Sequence, residues 1–111
     1  MTNDNTTHTD TEFEKALTAW LATAQEIIEV NHERAGYHSP AATLSTMYGR
    51  RYVRIVRHDL GPSRSAHCFI DRTNGDVLKA ASWKAPAKNF ARGNIYTGNA
   101  GVTEYGAHTC Y

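Results

Sequence analysis

The order of apolar and polar positions divides the chain into one helix and a run of short strands. Phe13, Leu17, Trp20, Ala24, Ile27 and Ile28 recur at spacings of three and four, which gathers them on one face of an amphipathic helix. Thr11 with Glu14 three residues on fits a capping box, and Glu12 and Glu14 suit the positive end of the helix dipole. Gly36 supplies a stop, with Arg34 in the last turn. Ser39-Pro40 then reads as a turn, and Thr43 to Met47 fits a short helix or a strand equally well. After a turn at Tyr48-Gly49-Arg50, Arg51 to His58 alternates, with Val53 and Ile55 on one side and Tyr52, Arg54, Val56 and His58 on the other. Gly61-Pro62-Ser63 marks a loop, and Ala66 to Asp71 and Asp76 to Ala81 are further strands.

Between those last two strands stands Asn74-Gly75, a strong hairpin signal because both central residues of a type I′ turn need positive φ. In a two-residue turn Ile70 pairs with Lys79, Phe69 with Ala80 and Cys68 with Ala81. A four-residue loop leaves the same residues on the same faces: Cys68, Ile70, Val77 and Ala81 on one, Phe69, Leu78 and Ala80 on the other. Both faces are partly apolar, and a single helix covers only one. The segment from Trp83 to Tyr111, which carries Phe90, Tyr96 and Tyr105, is left to cover part of the other, unless a partner does. The expectation is an α+β fold, an N-terminal amphipathic helix packed on a three- to four-stranded antiparallel meander with an irregular aromatic C-terminal tail. Residues 1–10, rich in Thr, Asn and Asp, read as a disordered lead-in, and residues 11–111 as one domain.

Composition narrows the class. No stretch approaches the roughly 18 apolar residues of a membrane span, and the polar start lacks the basic-then-apolar order of a secretory signal, so a cytoplasmic protein with no membrane contact is expected. Cys68 and Cys110 have no CxxC spacing and read as thiols, with a disulfide an option only for an exported chain. The net charge of +1 conceals an asymmetry: Met1 to Glu33 holds seven acids against Lys15, a net of −6, and Arg34 to Tyr111 holds eleven bases against four acids, a net of +7. Such a split implies an anionic partner or internal pairing of the two halves. The helix acids fall mostly opposite its apolar stripe, which favours the partner.

The segment FIDRTNGDVLKAASWKAPAKNFARGNIY, from Phe69 to Tyr96, resembles one found in small proteins of tailed bacteriophages with no established activity. Those proteins also place a strand like Arg51-Tyr52-Val53-Arg54-Ile55-Val56 upstream, a helix before it, and a Tyr-Gly element like Tyr105-Gly106 near the end. The resemblance covers roughly two-thirds of the chain. It implies a viral origin in an infected bacterial cytoplasm, and it brings no catalytic residues.

Three kinds of chemistry compete. Arg50, Arg51, Arg54 and Arg57 around one strand, and Lys79, Lys84, Lys88 and Arg92 on or after the hairpin, are interleaved with Tyr52, Trp83, Phe90 and Tyr96. Guanidinium forks bind phosphate and aromatic faces accept bases, so this mixture suits a nucleotide or single-stranded nucleic acid. Gly93 would let the backbone of Ala91 to Asn94 approach a phosphate closely. The ordinary alternative is that the bases pair with the acidic helix and the aromatics form core. A metal site from His67-Cys68 and His108-x-Cys110, with His38 and His58 in reserve, lacks a ligand spacing, and neighbours on a strand point to opposite faces. For catalysis, His67, Phe69 and Asp71 share a face, but no nucleophile or carboxylate pair is fixed, and Asp71 and Asp76 suit turn amides better. No Walker loop, GxGxxG or HExxH occurs.

The reading is therefore a non-catalytic phage protein, without cofactor or metal, that binds a phosphate-bearing ligand such as a host nucleotide defence signal, and a homo-oligomer is expected because sheet edges pair easily. Arg54, Trp83, Lys84 and Arg92 are the expected contacts, with Arg51, Tyr52 and Asn94 behind them. The alternatives are a single-stranded nucleic-acid-binding protein and a homo-oligomeric protein that docks on a host protein.

Overall fold

In the computed structural model, which describes residues 10–36, 39–59, 61–87, 91–97, 101–103 and 106–107, one helix precedes a series of short strands. Helix α1 spans Asp10–Arg34. Gly36 ends it at a φ of 76°, with its N–H donating to the Glu33 carbonyl at 3.0 Å. Its start differs from the expected capping box. Thr11 lies inside the first turn, and the Glu14 carboxylate accepts the Tyr48 hydroxyl at 2.7 Å. This bond ties the start of α1 to the sheet. The rest of the lead-in lies outside the described residues.

The strands β1 (Thr43–Tyr48), β2 (Tyr52–His58), β3 (Arg64–Asp71), β4 (Asp76–Leu78) and β5 (Gly93–Asn94) form one antiparallel sheet in that order. The ambiguous Thr43 to Met47 segment is a strand, paired along its whole length with β2. The sheet has five strands where three or four were expected, because the segment taken as irregular tail returns along the outer edge of β4. Ala87 N–H donates to the Lys79 carbonyl, Arg92 N–H to that of Val77 and Ile95 N–H to that of Gly75, at 2.7, 2.7 and 3.0 Å. This pairing satisfies backbone groups that β4 would otherwise leave open. A second pair, β6 (Val102–Thr103) with β7 (Gly106–Ala107), forms a small separate ladder.

The β3–β4 hairpin takes the four-residue loop. Phe69 pairs with Leu78 and Ile70 with Val77, two positions away from the two-residue register. Asp71 decides it: its carboxylate accepts the N–H and hydroxyl of Thr73 at 2.9 and 2.6 Å, winding the chain into an Asx turn. Asn74 in turn accepts the Asp76 N–H at 2.9 Å. Gly75 carries a φ of 82°, and a Cβ there would stand 2.6 Å from the Tyr96 ring.

Phe13, Leu17, Trp20 and Ala24 of α1 pack on Val53, Ile55, Cys68, Ile70 and Val77, and Ile95 and Val102 from the C-terminal segment close this core. Each large aliphatic side chain so buried contributes about 1.5–3 kcal/mol. On the opposite face Val56, Phe69 and Leu78 are also buried, and the Arg54 guanidinium reaches both the Phe69 ring and that of Trp83 in the following loop. The C-terminal half therefore serves both faces. The β2–β3 register slips between Ile55 and Val56, a bulge that leaves His67 out of the ladder and buried. Among the described residues, no helix is long and apolar enough to cross a membrane.

Candidate functional site

The turn from β1 to β2 brings arginines to one end of the sheet. Gly49 N–H donates to the Tyr52 carbonyl at 2.9 Å, leaving Arg50 and Arg51 at the tip. A Cβ on Gly49 would lie 2.9 Å from that same oxygen, so the tight closure requires glycine. The β3–β4 loop braces this turn. Arg72 N–H donates to the Arg51 carbonyl, and Arg72 Nη1 to the Gly49 carbonyl, both at 2.8 Å. The Arg72 guanidinium also sits 5.3 Å from the centre of the Tyr48 ring. Partial burial first, and then the Glu14 carboxylate that accepts its proton, push the Tyr48 phenol up to about 12, with Arg72 pulling the other way. The phenol stays protonated at neutral pH and ties α1 to this end of the sheet.

Arg54 projects from the face opposite α1 and is held on several sides. Its Nε donates to the Trp83 carbonyl at 2.7 Å, and its guanidinium lies 4.5 Å from the Trp83 ring centre and 5.8 Å from that of Phe69. Arg64 lies 5.2 Å from the same indole. Trp83 thus holds two guanidinium groups against its ring. Tyr52 meets Phe69 edge-on at 6.4 Å, and the Arg51 guanidinium sits 5.4 Å from the Tyr52 ring.

Between these groups opens a cleft of about 200 Å³, lined by residues 47–52, Arg54, Phe69 and Lys84. Four cationic side chains line it, Arg50, Arg51, Arg54 and Lys84. Two carboxylates stand beside it: Asp71, 3.2 Å from Arg51 Nη2, and Glu14, which accepts the Tyr48 hydroxyl at 2.7 Å. Burial works to raise the Asp71 carboxyl, but the Thr73 hydroxyl and amide and the Arg51 guanidinium outweigh it and hold the carboxyl below its ordinary value. Four cationic side chains thus outnumber the two carboxylates bound at its wall.

Of the residues expected from sequence, Arg51, Tyr52, Arg54 and Lys84 line the cleft. Trp83 supports it through Arg54. Arg92 and Asn94 do not join it, because β5 lies on the far side of β4, away from β2 and β3. Arg92 is buried, and Asn94 is occupied with the Asn74 carbonyl, the Asp76 carboxylate and the Tyr96 N–H at 2.9, 2.9 and 2.8 Å. Arg64 and Arg72 were missed by sequence reasoning. Their roles depend on which strand ends meet, and only the hairpin spacing hinted that Arg72 would lie beside the β1–β2 turn. Lys88, Phe90, Tyr105 and Tyr111 lie outside the described residues.

For the metal reading, Cys68 is a free, buried thiol, and burial raises its pKa. His58 pairs with the Ser45 hydroxyl at 2.7 Å. Among the described residues no three His, Cys, Asp or Glu side chains converge. His38, His108 and Cys110 lie outside the described residues.

A family model, described as a family of unknown function (DUF7717), matches residues 1–107, nearly the whole chain. The chain belongs to DUF7717. No curated protein and no solved structure matches it. The cleft is the feature of this DUF7717 member that bears on its function.

Proposed function

We propose that this DUF7717 protein binds a phosphate-bearing ligand, without transforming it, in the cleft of Arg50, Arg51, Arg54 and Lys84. The observation that carries the reading is four cationic side chains around one small cleft, against two carboxylates at its wall that are already engaged, Asp71 by Thr73 and Arg51 and Glu14 by the Tyr48 hydroxyl. Guanidinium groups match phosphate oxygens in pairs, and Tyr52 and Phe69 offer an aromatic wall beside them. Of the α1 acids, Glu14 reaches this end of the sheet through the Tyr48 hydroxyl, and the four cations still outnumber it and Asp71 together. With the resemblance to tailed-phage proteins, the ligand class favoured is a nucleotide, held as a viral protein in the cytoplasm would sequester a host defence signal.

Calorimetric titration with a panel of linear and cyclic nucleotides tests this. Binding in the micromolar range is expected, lost about tenfold or more in Arg54→Ala and in Lys84→Ala. A panel that leaves both heat and melting temperature unchanged at millimolar ligand refutes the reading. A second reading, single-stranded nucleic-acid binding, is favoured by the size of the cleft, which suits one phosphate better than a whole nucleotide. It requires affinity for an oligonucleotide that rises with its length and falls steeply with salt.

A further inference from the structure

We infer that the cleft is completed by a second copy of the chain, added antiparallel along the outer edge of β1 and held there by the bound anion. This rests on the reading above that the cleft takes a phosphate-bearing ligand. The starting point is the direction in which the β1 backbone groups point. Gly49 N–H bonds inward to β2, whereas the Leu44 N–H and Ala42 carbonyl bond outward, to the side-chain amide of Gln25 on α1, at 2.8 and 2.9 Å. Alternation along the strand therefore turns the N–H and C=O groups of Thr46 and Tyr48 outward as well. Gln25 stands in for a neighbouring peptide at the first half of the edge. Nothing among the described residues does so at the second half.

That second half has none of the usual guards. β1 contains no charge and no proline, and its pairing with β2 runs without a bulge. Met47 and Tyr48 are 41% and 45% exposed. A two-fold axis beside Met47 sets Thr46 opposite the partner's Tyr48, Tyr48 opposite the partner's Thr46, and Met47 opposite its own copy. This register pairs every outward group of Thr46 and Tyr48 and leaves the Gln25 cap in place. On α1, Thr18 and Ala22 lie between Glu14 and Gln25 on the stripe above this edge, and both are small and exposed, so the two helices can pass side by side.

Met47 is at once a wall of the cleft and the centre of this contact. Two clefts of about 200 Å³ each then join into one groove of about 400 Å³, which reaches the size of ordinary ligand sites. The same juxtaposition brings two sets of Arg50, Arg51, Arg54 and Lys84 toward each other. Their repulsion opposes the dimer until an anion enters, so assembly and binding are linked.

The test is sedimentation velocity of the full chain, with and without inorganic tripolyphosphate, alongside calorimetry of the same probe. Thr46→Pro removes an outward N–H and leaves the β2 ladder untouched, and Thr46→Val keeps that N–H. The wild type and Thr46→Val are expected to pass from monomer to dimer as tripolyphosphate is added. Thr46→Pro, with an unchanged circular dichroism spectrum, should stay monomeric and bind at least tenfold more weakly. If Thr46→Pro does not fold, Met47→Lys, which sets two like charges against each other at the axis, should likewise stay monomeric as tripolyphosphate is added. Tripolyphosphate bound by a chain that stays monomeric overturns this inference and spares the cleft. Absence of binding heat overturns both, and a dimer that survives both Thr46→Pro and Met47→Lys overturns the β1 interface.

Discussion

Replacing Asp71 by Asn should move stability and anion affinity in opposite directions, because this carboxylate braces the β3–β4 loop and also opposes the charge of the cleft. Its oxygens accept the Thr73 N–H at 2.9 Å and the Thr73 hydroxyl at 2.6 Å, and pair with Arg51 at 3.2 Å. An amide oxygen can take over both Thr73 bonds but not their charge. Hydrogen bonds to a charged group contribute roughly 1.5–3 kcal/mol against 0.5–1.5 for neutral ones, so two such conversions lose about 2 kcal/mol. Arg51 is largely exposed, and its pairing is left out of that figure. For a domain of this size the loss lowers the melting temperature by roughly 10 °C.

The pH dependence follows from the direction of the Asp71 shift. Its carboxyl titrates below its ordinary value of 3.8 in the folded protein, so its charge contributes stability that is whole above that pH. The contribution drains as pH falls through the lower folded value, and Asp71→Asn should converge with the wild type on that acid limb. At pH 7 and low salt the same variant should bind tripolyphosphate more tightly. Removing a unit charge on the order of 8 Å from the ligand changes its energy by about 0.5 kcal/mol per ligand charge in a water-like dielectric, or about twofold. Urea denaturation from pH 2 to 8 and calorimetry read the two effects. A variant as stable as the wild type at pH 7, or one with weakened anion binding, refutes the dual role of Asp71.

Gly75→Ala forces a side chain onto a residue with φ of 82° and drives its Cβ to 2.6 Å from the Tyr96 ring, so a loss of about 2–3 kcal/mol in denaturant unfolding is expected. A loss below about 0.5 kcal/mol means that Tyr96 does not close over the hairpin. Cys68 is fully enclosed and its thiol is pushed up by burial, so alkylation of its own peptide, read by mass spectrometry, should appear only as the chain unfolds. Labelling of the native protein within minutes contradicts that burial.

Much of the architecture can be read from short stretches of the chain. Gly36 announces the end of α1, and alternation assigns Val53, Ile55, Cys68, Ile70 and Val77 to one side of the sheet and Phe69 and Leu78 to the other. That assignment holds in either of the two registers open to the hairpin, since they differ by two residues and a shift of two leaves every side chain on its face. The shift itself was not legible as a choice, because it depends on Asp71 and Thr73 outcompeting the preferred turn of Asn74-Gly75. The fifth strand was hidden for a related reason: Gly93-Asn94 has no strand pattern, and it pairs because β4 offers an open edge.

The cleft divides in the same way. Arg51, Tyr52, Arg54 and Lys84 stand out in sequence as a basic and aromatic mixture, and they line one cleft. Arg92 and Asn94 carry the same chemistry but sit beyond β4, while Arg64 and Arg72 arrive from segments that look unremarkable by themselves. Residue types and their period are local properties, set by side-chain geometry over a few positions, so the sequence alone decides which residues a strand turns to each face. Which strands become neighbours is a contest among distant backbone groups for hydrogen-bond partners, and that contest determines which arginines meet and which stay apart.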